Sequence, residues 1–288
     1  MCPVYINRIA SIHAESRNEK PYFSAQEPDY KEMITNANLR RRMSRMIKMG
    51  VACGLECLKD IPSEKVDAII TATGLGCLAD TEKFMNTILD HNEELLTPTA
   101  FIQSTFNTIG AQIALLTGNH SYNTTYVHRA FSLESALLDA ALLVQEEEAQ
   151  SVLVGAVDEM TPTLQTILGR LGFWEKNKPG EGAAFFLLSG NRSPQCVAEL
   201  RDMELFSGRF TEEEIKERMT AFLIHNEASD AEVVFPDEYK QYCGEYLVAM
   251  SFALWQAYHR VQETDAPRSI LLYNSFLDNH SFLLIRRV

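Results

Sequence analysis

An alternation of short apolar, β-branched runs with longer helix-patterned segments extends through the whole chain and limits what it can fold into. Residues 67–73 read Asp-Ala-Ile-Ile-Thr-Ala-Thr, too apolar on both sides for a strand with one face in water. Similar runs recur at 4–12, 124–129, 151–157 and 183–188, and the segments 39–58, 81–90, 106–117 and 132–147 between them carry helical spacing. Gly118 suits the C′ position that ends the helix before it. The pattern predicts an α/β fold in which buried, largely parallel strands are covered by helices. The polar turn Asn191-Arg-Ser-Pro194 divides the chain into expected units of 1–190 and 191–288. The second unit repeats the theme, with strands at 196–206, 231–235, 269–275 and 281–286 and helices at 211–225 and 244–261.

Composition removes several function classes. The chain has 288 residues, 46% of them hydrophobic, enough to bury a sizeable core. The start, Met-Cys-Pro-Val-Tyr-Ile, lacks a leader's apolar stretch, and no run reaches the ~18 apolar residues of a membrane span, so a cytoplasmic protein is expected. The cysteines at 2, 53, 57, 77, 196 and 243 form no Cys-x-x-Cys pair and have no histidines at zinc spacing, which reads as reduced thiols and no metal. No Gly-rich phosphate cradle is present, and no cofactor is expected. A net charge of −13 argues against nucleic acid and anionic membrane as partners. The dense basic cluster runs from Arg40, Arg41 and Arg42 through Arg45 to Lys48, either a solvated helix face or a docking patch.

Residues 124–140 read Thr-Thr-Tyr-Val-His-Arg-Ala-Phe-Ser-Leu-Glu-Ser-Ala-Leu-Leu-Asp-Ala, a strand turning sharply into an amphipathic helix with Ala130 at the turn. The segment resembles the strand-to-helix turn of the β-ketoacyl synthases, thiolase-like condensing enzymes, which reads Thr-Ala-Cys-x-Ser-Gly and then x-x-Ala-Ile-x-x-Ala. Ser132, Ala136 and Ala140 keep their places, while Ala130 stands where the family has its acylated cysteine. Further landmarks follow in family order. The helix from Arg41 is similar to one carrying an Arg-Met pair, and Gly74-Leu-Gly76 to a Gly-x-Gly turn. Asn107 with Gly110 and Ala111 resembles Asn-x-x-Ala-Gly. Gly155-Ala-Val-Asp-Glu159 stands for Gly-Gly-x-Glu, and Gly180-Glu-Gly-Ala183 matches Gly-Glu-Gly-Ala. Lys240 and Gly244 fit Lys-x-x-x-Gly-His, with Glu245 in the histidine's place. Asn274-Ser-Phe276 and Asn279 resemble the family's last motif, its glycine-rich loop cut to Leu277-Asp278. The family's other histidine loop has no room between residues 231–235 and Pro236, and His225 precedes that strand.

The resemblance implies a thiolase-like layered αβαβα fold of two related halves, the second shortened. Decarboxylative condensation needs an acylated thiolate and two histidines, and all three positions are lost. The implied role is a catalytically degenerate subunit of a ketosynthase, as chain-length factors are, in fatty acid, polyketide or aryl-polyene assembly on an acyl carrier protein. Self-association as a homodimer is the other arrangement. Phe106, Asn107, His128 and Phe131 are the acyl-pocket candidates, Lys240 and Asn279 the retained site residues, and Arg40, Arg41, Arg42, Arg45 and Lys48 the carrier-protein docking candidates. Two other readings stand beside it. One is an acyl-thioester hydrolase or acyltransferase using His128, Glu245 or Lys240; the other is a non-catalytic module that binds a carrier protein. Glu245 acts as acid or base, or pairs with Lys240; His128 is a base or an internal hydrogen-bonded histidine; Cys77 is a displaced nucleophile or core.

Overall fold

The computed structural model describes residues 3–14, 22–94, 96, 98–176, 178–263, 265 and 267–288. In the first part of the chain β1 (Val4–His13) is followed by three helices, α1 (Tyr30–Met33), α2 (Ala37–Arg42) and α3 (Arg45–Cys57). Next come β2 (Ala68–Ala72), α4 (Leu78–Asp90), α5 (Pro98–Ser104), α6 (Thr108–Thr117), β3 (Tyr122–Tyr126), α7 (Ser132–Gln145), β4 (Ser151–Asp158), α8 (Pro162–Arg170) and β5 (Gly182–Ser189). The remainder forms β6 (Ala198–Ser207), α9 (Glu212–His225), β7 (Glu232–Val234), α10 (Pro236–Cys243), α11 (Met250–Arg260), β8 (Ser269–Phe276) and β9 (Asn279–Arg287).

The strands form one sheet in the order β3-β2-β4-β5-β1-β6-β9-β8-β7. β2 runs parallel to β3 and β4, whereas β5 is antiparallel to both β4 and β1. The joint between the halves is short, Val4 to Ile6 against Ala198 to Leu200. Read outward from it, β1-β5-β4-β2-β3 is mirrored by β6-β9-β8-β7, and β3 has no counterpart among the described residues.

Strand alternation sends successive side chains into different cores, which creates the layers. Val152, Val154, Ala184, Phe186 and Leu188 face a central core that also takes Ile270, Leu272, Leu283 and Ile285 from the second half. α7 and α11 fill that core with Leu133, Ala136, Ala140, Phe252 and Ala253. The alternate residues Leu153, Ala183, Phe185 and Leu187 face α3 and α6 on one outer side. Leu271, Tyr273, Phe282 and Leu284 face α9 on the other. Helix, one half of the sheet, helix, the other half of the sheet and helix are thus stacked, the layered α/β arrangement implied by the resemblance.

Several boundaries differ from expectation for local reasons. The helix expected over 39–58 breaks at Met43 and Ser44, whose extended backbone turns Met43 into the core and makes Ser44 the N-cap residue of α3. The helix expected over 244–261 begins only at Met250, as α11, and a separate helix, α10, precedes it, started by Pro236 and ended by Gly244 (φ +80°). α5 and α8 were not anticipated. Cys2 lies outside the described residues, and the other five cysteines are buried free thiols.

Candidate functional site

β3 ends at Tyr126, and within three residues the chain reverses into α7. The residue that makes the reversal is Arg129, with φ of +52°. A left-handed backbone is uncommon for a bulky residue and marks a position held by its surroundings. Ala130 follows it, buried in a single 3₁₀ turn with Phe131. The Ser132 hydroxyl accepts the His128 N–H at 2.8 Å and shares its proton between the Thr73 carbonyl at 2.8 Å and the Arg129 carbonyl at 2.7 Å. The elbow is thereby tied to the end of β2. From β8, Asn274 Nδ2 donates to the Ala130 carbonyl at 3.1 Å and to Glu134 Oε1 at 2.6 Å; Ser281 Oγ donates to the same oxygen at 3.3 Å. Glu134 is wholly buried beneath the elbow, and burial pushes its carboxyl up to about 7 against the pull of these donors.

A cavity of about 290 Å³ opens beside the turn. Arg129 lines it together with Leu75, Leu78, Leu164, Leu168, Phe173, Trp174 and Phe276, and three carboxyl residues complete the wall. Asp158 Oδ1 accepts from Thr73 Oγ1 at 2.7 Å and Gly74 N at 2.9 Å, and Oδ2 from Val248 N at 3.2 Å. Burial raises it to about 6. Glu159 accepts from Ala79 N at 3.1 Å and is raised by burial to about 7. Glu245 receives the Lys240 ammonium at 2.7 Å.

Glu245 is placed by a close crossing of backbones. Its N–H donates to the Lys178 carbonyl at 2.8 Å, and its carbonyl accepts from Gly180 N at 2.9 Å. A Cβ on Gly180 would lie 2.1 Å from the Cys243 carbonyl oxygen, and one on Gly244 would lie 2.7 Å from Gly180 Cα. The two glycines of Gly180-Glu-Gly and Lys-x-x-x-Gly244 therefore exist for each other. Glu181, between the turn glycines, is fully buried and takes the Ala25 and Met160 N–H groups and both Nη atoms of Arg45, at 2.6 and 2.7 Å.

The structure distributes the sequence candidates unevenly. Arg129, one residue before Ala130, occupies the strained position and lines the cavity; Ala130 does not. Phe106, Asn107, His128 and Phe131 do not line it either. Phe106 and Asn107 are on the surface, the Phe106 ring lying over Gly76, and Phe131 is core. His128 is exposed, not internal, with Nδ1 3.4 Å from Ser135 Oγ. Asn279 accepts from Ser207 Oγ at 2.6 Å, and Asn274 is the asparagine that reaches the elbow. Cys77 is buried, and burial raises its thiol far from thiolate character. In the basic cluster Arg45 is consumed by Glu181 and Glu27, and Arg40 donates to the Ile34 carbonyl, leaving Arg41 and Arg42 fully at the surface. Sequence reasoning missed Arg129, Glu134 and the wall from α8 to Trp174. A carboxylate on the buried face of α7 was the available signal for Glu134.

No curated protein sequence matches the chain. Among solved structures it is similar to the ishigamide ketosynthase/chain length factor, with a TM-score of 0.80 at 12% identity over 99% of each chain. It is also similar to AntDE:AntF, described as a type II PKS acyl-carrier protein in complex with its ketosynthase bound to the hexaketide, with a TM-score of 0.81 at 15% identity over 100% of each chain. A third is the ketosynthase ApeO in complex with its chain length factor ApeC from Xenorhabdus doucetiae, with a TM-score of 0.62 at 14% identity over 100% of each chain. At these identities the likeness speaks for the fold. The family described as Beta-ketoacyl synthase, N-terminal domain, matches residues 14–243, most of the chain and both sides of the elbow. This protein therefore belongs to the β-ketoacyl synthase family.

Proposed function

We propose that this chain is a catalytically degenerate ketosynthase-like subunit that pairs with an active ketosynthase in polyketide, aryl-polyene or fatty acid assembly on an acyl carrier protein. The observation that carries the reading is the elbow itself. Its turn is Arg129-Ala130, neither of which can form a thioester. Glu245, in the place of a family histidine, is an anion already bound to Lys240 and would oppose a developing enolate. A partner is supported by the exposed edge of the sheet. β3 is an edge strand, and Leu115, Tyr122, Leu138 and Leu142 on it and on the flanking α6 and α7 are exposed apolar side chains. The names of the similar structures, a ketosynthase with its chain length factor and a ketosynthase with its carrier protein, fit the same reading.

Incubation of the purified chain with a radiolabelled acyl thioester tests the first half of the proposal; no label is expected on the protein, and a stable acyl adduct would sink it. Co-expression with a ketosynthase of the same organism tests the second. A one-to-one complex on native mass spectrometry is expected, and recovery as a homodimer alone counts against the pairing.

A further inference from the structure

In the mirrored order of the sheet β7 holds the place of β2, and nothing among the described residues holds the place of β3. β7 is therefore an edge, paired on one side only, in parallel with β8. Glu232 stands opposite Ile270 and Val234 opposite Leu272, all on the inner face of the sheet, while Val233 turns to the core under α9. Beside this edge a groove of about 390 Å³ lies between α10 and α11. Its floor is Val234, with the buried Ile270 and Leu272 behind it, and Tyr242 and Trp255 line its sides. The rim is acidic. Glu232, Glu238 and Glu263 line it, and the Arg260 guanidinium is shared among Glu232 at 3.5 Å, Asp265 at 3.3 Å and Glu263. His259 also lines the groove, and partial burial lowers its pKa, so it adds no positive charge at neutral pH. The carboxylates of Glu232, Glu238, Glu263 and Asp265 thus outnumber the one guanidinium, and the groove keeps an unbalanced negative charge.

We infer that the open edge of β7 and this groove receive an extended basic segment of a partner protein, which adds to the second half as its fifth strand. Main-chain hydrogen bonds to an edge give such a segment affinity, and pockets for alternate side chains give it specificity. Successive side chains of the added strand point to opposite faces. Those on the inner face, toward Glu232 and Glu238, are lysine or arginine; those on the outer face, beside Val233 and the 38% exposed Phe235, are apolar. β7 is only three residues long and offers few hydrogen bonds, so the charge of the groove has to select the segment. The edge strands of a second copy do not qualify, because β3 reads Tyr-Asn-Thr-Thr-Tyr and β7 Glu-Val-Val, without a basic residue. The inference does not rest on the ketosynthase pairing, which is argued for β3, at the other end of the sheet.

The probe is a fluorescein-labelled peptide, Val-Lys-Val-Lys-Val-Lys-Val, titrated with the full chain at about 0.15 M salt and followed by anisotropy. An analogue with glutamate for lysine tests the charge. Two isomers, N-methylated on the valines or on the lysines, test the backbone, because the N–H groups of alternate residues leave a strand on the same side. We expect one lysine peptide per chain, bound roughly tenfold or more tighter than the glutamate peptide, and loss of binding by one N-methylated isomer only. Hydrogen exchange at Val233 and Val234 should slow in the complex. Glu238→Lys, at an exposed position of α10, should weaken binding roughly fivefold. Glu148→Lys, the same charge change at an exposed position off the groove, should leave it within about twofold. The same response to both N-methylations overturns the inference, as does affinity unmoved by Glu238→Lys, unchanged exchange at β7, or no binding. Spermidine bound as tightly as the peptide also overturns it, making the groove an amine site without a strand. None of these results bears on whether the chain accepts an acyl group or pairs with a ketosynthase.

Discussion

Glu134 lies on the buried face of α7, where its Oε1 takes Asn274 and Ser281 and its Oε2 has no partner among the described residues. With the carboxyl held at about 7, the folded protein keeps a proton that the unfolded chain has released between the ordinary carboxylate range and pH 7. Stability therefore falls as pH rises through that window, by at most about 1.4 kcal/mol per pH unit for each such group. Asp158, at about 6, and Glu159, at about 7, act with the same sign. Glu134→Gln keeps the accepting oxygen and removes the titration. Urea unfolding between pH 5 and pH 8 should show a loss of stability smaller than the wild type's by on the order of 2 kcal/mol, and an unchanged slope would mean that Glu134 is not the titrating group. Three further substitutions have a sharper signature. Arg45→Met strands the Glu181 carboxylate, whose side chain is 0% exposed, and should cost roughly 3 kcal/mol in the same assay. Gly244→Ala meets the Pro179–Gly180 backbone within 2.9 Å and should cost about 3 kcal/mol or more, whereas Gly118→Ala, which meets nothing, loses only the left-handed preference of about 1 kcal/mol.

At the scale of elements, what the sequence made legible tracks what is local. The Thr211–Glu214 capping box starts α9 where helix propensity and charge both point, with the Thr211 side chain receiving Glu214 N and the Glu214 carboxylate receiving Thr211 N. Thr211→Ala should cost about 1 kcal/mol and speed hydrogen exchange in the first turn of α9; unchanged exchange there would show that the box contributes nothing. The strands of the central sheet were equally readable, because burial on both faces leaves a continuous apolar run. The break between α2 and α3 was not, since Met43 and Ser44 fit a helical spacing and the reason they leave it is tertiary: Met43 is drawn into the core. How the basic cluster is used is hidden for the same reason. Spacing identifies Arg45 as basic, but its use by Glu181 depends on a turn 136 residues away. The candidate site was legible as far as its chain landmarks, Gly74, Gly155, Gly180 and Gly244, and not in its lining. Which of two adjacent residues takes the left-handed turn is decided by packing against Thr73 and Asn274, which no local pattern records.

For the whole molecule, the asymmetry between the halves has a consequence for assembly. The first half ends in β3, a five-residue edge strand, while the second ends in β7, with three residues, so the longer open edge lies on the first half. Long exposed edges are templates for pairing with another chain, and natural proteins blunt them with charge, proline or cover. β3 reads Tyr-Asn-Thr-Thr-Tyr, without a charge or a proline, and is flanked by Leu115, 63% exposed on α6, and Leu142, 44% exposed on α7. An edge strand with no charge of its own beside exposed leucines, with the adjacent Asp139 carboxylate accepting from the Tyr122 hydroxyl at 3.3 Å, approaches the composition of an interface core, from which charged residues are depleted. The net charge of −13 opposes approach of a second copy, and a contact region with few charges opposes it least. Leu115→Glu combined with Leu142→Glu puts one carboxylate on each side of the edge strand without touching either core. Sedimentation should then show the assembled species, whether of this chain alone or with a ketosynthase, converted to free monomer. The melting temperature of the isolated monomer should stay within a few degrees of the wild-type monomer's, because both side chains are solvent-facing there. Assembly that survives both substitutions would place the contact on another face of the molecule.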